Sequence, residues 1–174
     1  MNQDSAFSHY TQLLDKIDHM FAAIRHRHAD SFQCRAGCYG CCKSGLSVTH
    51  VEAARISQWI SEHPDVLERI KSRTGMLEDE NFCHFLSAEG HCMIYDARPL
   101  ICRSHGMPIS WVEESQESRD CCPLNFQTFD LDELDHADVL SLDKVNRLLS
   151  LIDREFDPAK AGTRTIIKDL VDFT

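Results

Sequence analysis

Residues 34–42 read CRAGCYGCC. Four thiols in nine positions, with Gly37 and Gly40 just before the second and third, suit a disulfide staple, a metal loop or a redox site. The choice decides the fold, because a loop closed on metal draws further ligands from elsewhere in the chain. Five more cysteines follow, Cys83, Cys92, Cys102, Cys121 and Cys122, for a total of nine. An odd number cannot be fully paired. The opening MNQDSAFSHY has no basic stretch followed by an apolar run, so it does not read as a secretory signal. No segment is long and apolar enough to span a membrane. The expected location is cytoplasmic, where thiols stay reduced, and disulfides are disfavoured on both counts.

Outward from the loop, the flanks read as helices. Phe7, Tyr10, Leu13, Leu14, Ile17, Met20, Phe21 and Ile24 step by three and four along 4–29, one apolar stripe. Thr49 and Glu52 have the spacing of a capping box, with Ala53, Ile56, Trp59 and Ile60 as the buried face behind it. Pro64 suits the first turn of a further helix that turns Val66, Leu67 and Ile70 inward. Between 81 and 95, two short apolar runs around Gly90 predict a small hairpin or tight loop. Pro99 opens a short helix ending near Gly106. Residues 107–130 show no period and read as loop, with EESQESRD as a solvated stretch. Val139, Leu140, Leu142, Val145, Leu148, Leu149, Ile152 and Phe156 predict a long helix stopped by Pro158, and Ile166, Ile167, Leu170 and Val171 a last short one. The expected fold class is mainly α. It is a single small domain over 1–174, with amphipathic helices around an irregular cysteine-rich metal-binding centre and a short hairpin. The metal-binding region is 34–122, flanked by the helix at 4–29 and helices within 138–173.

No cysteine falls in the first helix or the long C-terminal one. Thiols serving as small core hydrophobes would be spread over helices. Thiols on loops can converge on a metal from several directions. Two cysteines separated by two or three residues can aim at one point, and glycines let the backbone curl around it. Neighbouring Cys41 and Cys42 diverge, so they serve different metal atoms or one is a bystander. Zinc takes four ligands, often from two C-x2-C pairs, whereas here one dense loop is joined by single cysteines. The C-x3-C-x2-C spacing of Cys34, Cys38 and Cys41 is that of the 4Fe–4S loop of radical S-adenosylmethionine enzymes. The chain is too short for their barrel, but thiolates are ordinary ligands of such clusters. An iron–sulfur cluster of the 4Fe–4S type is the favoured reading, with zinc as the alternative. All nine cysteines are candidate ligands. Arg98 and Arg103 flank Cys102 and can offset thiolate charge around the cluster, or simply be solvated. His84, His91 and His105 lie near cysteines but read as packed or surface residues, and His19, His26 and His28 as solvated.

The motifs CRAGCYGCC and CHFLSAEGHCMIYDARPLICR together resemble the YkgJ-like cysteine-cluster family, named for a suspected zinc- or iron-chelating role. Its pattern of C-x-x-C-x-x-C-C, C-x-F-L and C-x-I-Y-x-x-R-P-x-x-C-R falls on Cys38, Cys41, Cys42, Cys83, Cys92, Tyr95, Arg98, Pro99, Cys102 and Arg103. Cys34 matches the first cysteine with one extra residue of spacing, and a later one falls on Cys121 or Cys122. A related motif occurs in flagellin lysine N-methylases. The chain has no G-x-G-x-x-G turn to cradle S-adenosylmethionine.

A 174-residue chain buries roughly 70% of the surface that its unfolded form exposes, so a core forms without metal. The net charge of −10 repels phosphate backbones, and RHRH at 25–28 is too short to reverse this. Neither nucleic acid nor membrane is an expected partner. The remaining roles are an iron–sulfur protein in redox or protein modification, a zinc-stabilised module that docks on another protein, and a metal carrier. The acidic run Asp130–Asp138 suits a basic partner or a solvated helix entry.

Overall fold

The computed structural model describes residues 3–72 and 79–173. The first helix, α1 (Gln3–Arg27), buries Tyr10, Leu13, Leu14, Ile17 and Ile24 on one face. Asp4 in its first turn and Arg25, His26 and Arg27 in its last complement the helix dipole. After the cysteine loop, β1 (Ser47–Thr49) leads into α2 (His50–Glu62). The Glu52 carboxylate accepts from Thr49 N at 2.9 Å and Thr49 Oγ1 at 3.0 Å, closing the capping box. Pro64 begins α3 (Pro64–Ser72), which buries Val66 and Ile70. Then come α4 (Leu100–Ser104), β2 (Ile109–Glu113), β3 (Gln116–Asp120), β4 (Leu140–Ser141), α5 (Leu142–Phe156) and β5 (Arg164–Ile166). Short 3-10 turns fill several connections, and one ends the chain at Ile167–Phe173. In the last predicted helix, the Val171 side chain lies outside the described residues.

Two apolar cores form. One packs α1 against α5, through Val145, Leu149, Ile152 and Phe156, and takes in Phe32, Val51, Leu100, Met107 and Phe126. The other joins α2 and α3 to Phe85, Ile94, Ala97, Ile167 and Leu170. Helix α2 serves both, with Val51 in the first and Ala53, Ile56 and Ile60 in the second. Buried Asp153 on α5 accepts from Val51 N at 2.9 Å and Gly162 N at 2.8 Å, so it caps an orphan amide at the start of α2.

The stretch at 107–130 is not the expected loop. Strands β2 and β3 form an antiparallel hairpin pairing Ile109 with Asp120 and Glu113 with Gln116. Its turn residues Glu114 and Ser115 have φ of 49° and 68°, the left-handed region that two-residue hairpin turns require. The solvated EESQESRD stretch is therefore this turn and its return strand. Val139 and Leu140 also leave the predicted helix. Leu140 N bonds to Pro108 O at 2.9 Å, and β4 lies parallel to β2. The acidic run stays largely exposed, but part of it is used internally. Asp130 and Asp135 cap 3-10 turns, while Asp138 is buried beneath Arg27 and His28. His28 is thus not solvated: its Nε2 lies 2.7 Å from Asp138 and its ring packs on Phe126 and Phe129.

Candidate metal centre

All nine cysteines are free, Cys38 exposed and the other eight half-buried. They gather at the seam between the cores. Cys83, Cys92 and Cys102 pack on the edge of the α2–α3 core, and Cys121 on the edge of the α1–α5 core. The loop folds through short turns, Cys38 N to Arg35 O at 3.0 Å and Cys42 N to Tyr39 O at 2.9 Å. Gly37 takes a φ of +82°, which permits the first of these turns without a Cβ clash. Its far end is bound to the second motif: Cys83 N donates to Cys42 O at 2.9 Å, and Lys43 bridges Phe82. The chain then doubles back, bridging Leu86 to Cys92, with Met93 N on Phe85 O at 2.8 Å. This is a tight turn with single bridges rather than a regular hairpin.

Two groups of thiols result. Burial raises the Cys102 pKa first, and repulsion from Cys83, Cys92 and Cys41 adds to it. Cys83 is raised by burial, and Cys92 is pushed up to about 11, again by burial first with Cys83 adding. The second group centres on Cys34, raised by burial, with Cys122, Cys38 and Cys41 adding repulsion. Cys41 belongs to both, and its neighbour Cys42 is the largest cause of its own raised pKa. In the last doublet the two cysteines differ. Cys121 Sγ donates to Cys122 O at 3.4 Å and Asn125 O at 3.5 Å, turned into its own loop. Cys122 is the member whose charge reaches Cys34.

The arginines divide similarly. Arg98 lies over the Tyr95 ring at 3.6 Å, donates to Tyr95 O at 3.1 Å, and its charge lowers the pKa of Cys92 and Cys102 against their burial. Arg103 pairs with Asp18 on α1 and donates to Asp96 O and Arg98 O at 2.6 and 2.8 Å. It fastens α4 to α1. Of the nearby histidines, His91 is exposed, while His84 and His105 are half-buried. Burial lowers the His105 pKa.

Among the described residues, no three His, Cys, Asp or Glu side chains already stand in a geometry that would hold a metal ion. The donor chemistry nonetheless fits zinc or iron. The sulfurs are unpaired and come from four separate segments, and soft thiolates are what those metals take. Burial raises the pKa of Cys34, Cys83, Cys92, Cys102 and Cys121, so a cation would have to displace protons from the thiols among them that it binds.

One residue here carried no sequence signal. Asn125 is 2% exposed, and its side chain reaches Gln33, Cys34 and Gly106. An asparagine two residues after a proline in a loop looks like any turn residue. Only its burial marks it.

Comparison with curated proteins and with solved structures finds no match. A family model does match, over residues 33–123 and so more than half of the chain, from just before Cys34 to just after Cys122. With both thiol groups inside that span, the chain belongs to the CxxCxxCC family, described as "Putative zinc- or iron-chelating domain".

Proposed function

We propose that the chain is a metal-binding cysteine-cluster protein whose centre is an iron–sulfur cluster serving redox chemistry or protein modification. The observation that carries this is the position of Cys41, beside Cys42 and within electrostatic reach of both thiol groups. Cys41 thus links two sets of thiols, together more sulfurs than a single tetrahedral zinc uses, which suits a centre with several metal atoms. Cys34, Cys38, Cys41, Cys42, Cys83, Cys92, Cys102 and Cys122 are the proposed ligand set, with Cys121 outside it. When bound, such a cluster supplies one-electron transfer. The protein's own part is to gather the thiolates, offset their charge with Arg98, and keep all but Cys38 half-shielded from water. The proposed unit is the whole chain, a cytoplasmic domain with the centre at its seam.

The test is anaerobic purification followed by metal and acid-labile sulfide analysis and a visible spectrum. A brown protein with iron and sulfide is expected. A colourless protein with stoichiometric zinc and no sulfide would replace this reading with a zinc-stabilised module or carrier.

A further inference from the structure

We infer that Asn125 is a positioning residue of the metal centre, holding the Cys34 sulfur by a direct N–H···S hydrogen bond while tying together the three segments around it. This rests on the reading of Cys34 as a ligand. Asn125 itself lies beyond the matched span 33–123.

The orientation of the amide is fixed by its partners. Oδ1 accepts from Gln33 N at 2.8 Å, and a backbone N–H can only donate. Nδ2 donates to Gly106 O at 2.8 Å, and a carbonyl can only accept. A flipped amide would fail at both ends. The second Nδ2 hydrogen goes to Cys34 Sγ at 3.3 Å. The backbone of Asn125 works on the other side of the site: its N donates to Cys122 O at 2.8 Å, and its O accepts from Cys121 Sγ at 3.5 Å. The next residue fastens the segment, with Phe126 N on Ser31 O at 2.9 Å and its ring against Phe32. One buried residue thus sets the spacing between the Cys34 end of the loop, the Gly106 turn and the Cys121–Cys122 doublet. Gly106 is part of the same fit, because a Cβ there would lie 2.8 Å from Cys34 Sγ. An N–H donor to sulfur favours the thiolate a metal binds and fixes where that sulfur points, as partners behind a ligand do in metal sites generally.

The experiment is Co(II) titration of the full-length metal-free protein, followed by its thiolate-to-cobalt charge-transfer absorption. It compares wild type, Asn125→Asp, Asn125→Ser, Cys34→Ser and the double variant Asn125→Asp/Cys34→Ser. Asn125→Asp keeps the acceptor for Gln33 and removes both Nδ2 donors, to the Cys34 sulfur and to Gly106 O, and the second loss is shared by the wild-type and Cys34→Ser backgrounds. It should weaken cobalt binding about 10–100-fold and shift the charge-transfer band. In the Cys34→Ser background the same change should add almost nothing, because its route to the metal is gone. Equal weakening in both backgrounds would overturn the inference, since Asn125 would then act through general folding. Unchanged affinity and band in a folded Asn125→Asp or Asn125→Ser protein would overturn it too. Should neither variant fold, wild type still decides: saturating Co(II) must protect Cys34 from N-ethylmaleimide, and an unprotected Cys34 sinks the inference. Wild type that binds no cobalt, zinc or iron would remove the metal reading itself, and this inference with it, a result distinct from the others.

Discussion

Replacing Glu52 by glutamine should destabilise the protein through one helix start that is far away in sequence. Glu52 is 2% exposed, and its two oxygens divide four donors. Oε2 takes Thr49 N and Oγ1 at 2.9 and 3.0 Å, while Oε1 takes Leu100 N at 3.0 Å and, more weakly, the Tyr10 hydroxyl at 3.4 Å. Leu100 N is an orphan amide at the start of α4, the helix that carries Cys102, and its N-cap Pro99 has no side-chain group to satisfy it. A glutamine amide has one acceptor oxygen. If that oxygen stays on Thr49, the NH2 faces Leu100 N–H, and one buried backbone donor is stranded. Stranding it costs about 1–3 kcal/mol, and the surviving bonds lose their charge assistance. The amide is easier to bury than a carboxylate, which offsets part of this. A net loss of about 2 kcal/mol lowers the melting temperature of a chain this size by about 4–8 °C.

The assay is thermal unfolding by circular dichroism, with Tyr10→Phe as the comparison because it removes only the 3.4 Å bond. That variant should cost no more than about 1 kcal/mol. A Glu52→Gln protein melting within about 2 °C of wild type would refute the reasoning. It would mean that the Leu100 amide finds another acceptor, and that α4 is not held from α2.

Cys122→Ser should lose bound metal while Cys121→Ser keeps it, because the Cys122 charge reaches Cys34 whereas the Cys121 thiol bonds within its own loop; metal content of the two purified variants checks this, and equal loss would refute it. Gly106→Ala should cost at least about 1–2 kcal/mol for its φ of +94° alone, and the new Cβ must also displace the Cys34 sulfur; an unchanged denaturation midpoint would contradict both effects. Burial works to raise the Asp138 pKa, but hydrogen bonds from Arg27 and His28 outweigh it and hold the carboxyl below its ordinary value. The stability this contributes is present above the unfolded carboxyl pKa near ~3.9 and is lost as pH falls through the lower folded value. Asp138→Asn should therefore trail wild type by about 1 kcal/mol at neutral pH, reduced because Arg27 is half exposed, and the gap should close in strong acid. A gap independent of pH, measured by denaturation at both ends, would rule this out.

The parts of the fold legible in the sequence are those set by neighbours three and four residues apart. The α1 stripe, the Thr49–Glu52 box and Pro64 at the start of α3 are local patterns, and the helices form where those patterns lie. The hairpin at Ile109–Asp120 was not legible, because its outer strand is polar on both faces and its turn uses Glu114 and Ser115 instead of glycine. Leu140 reads as helix in the sequence because Val139, Leu140, Leu142 and Val145 fit a helical period equally well. What decides against helix is pairing with β2, some thirty residues earlier, which no local pattern encodes.

The site divides along the same line. Thiols announce themselves by residue type and spacing, so the nine candidates could be named from the chain alone. How they group depends on which backbone atoms the irregular segments exchange. Cys42 O meets Cys83 N, which brings Cys41 toward the Cys83, Cys92 and Cys102 group. Asn125 meets Gln33, Gly106 and Cys122, which brings Cys34 toward the last doublet. The bonds from Cys42 to Cys83 and from Gln33 to Asn125 span 41 and 92 residues and carry no periodic signature. They also lie outside both apolar cores, which draw their buried side chains chiefly from the helices and the loops packed on them. Residue type therefore names the thiols, while their grouping rests on these irregular backbone links, which a bound metal would reinforce by joining the same segments.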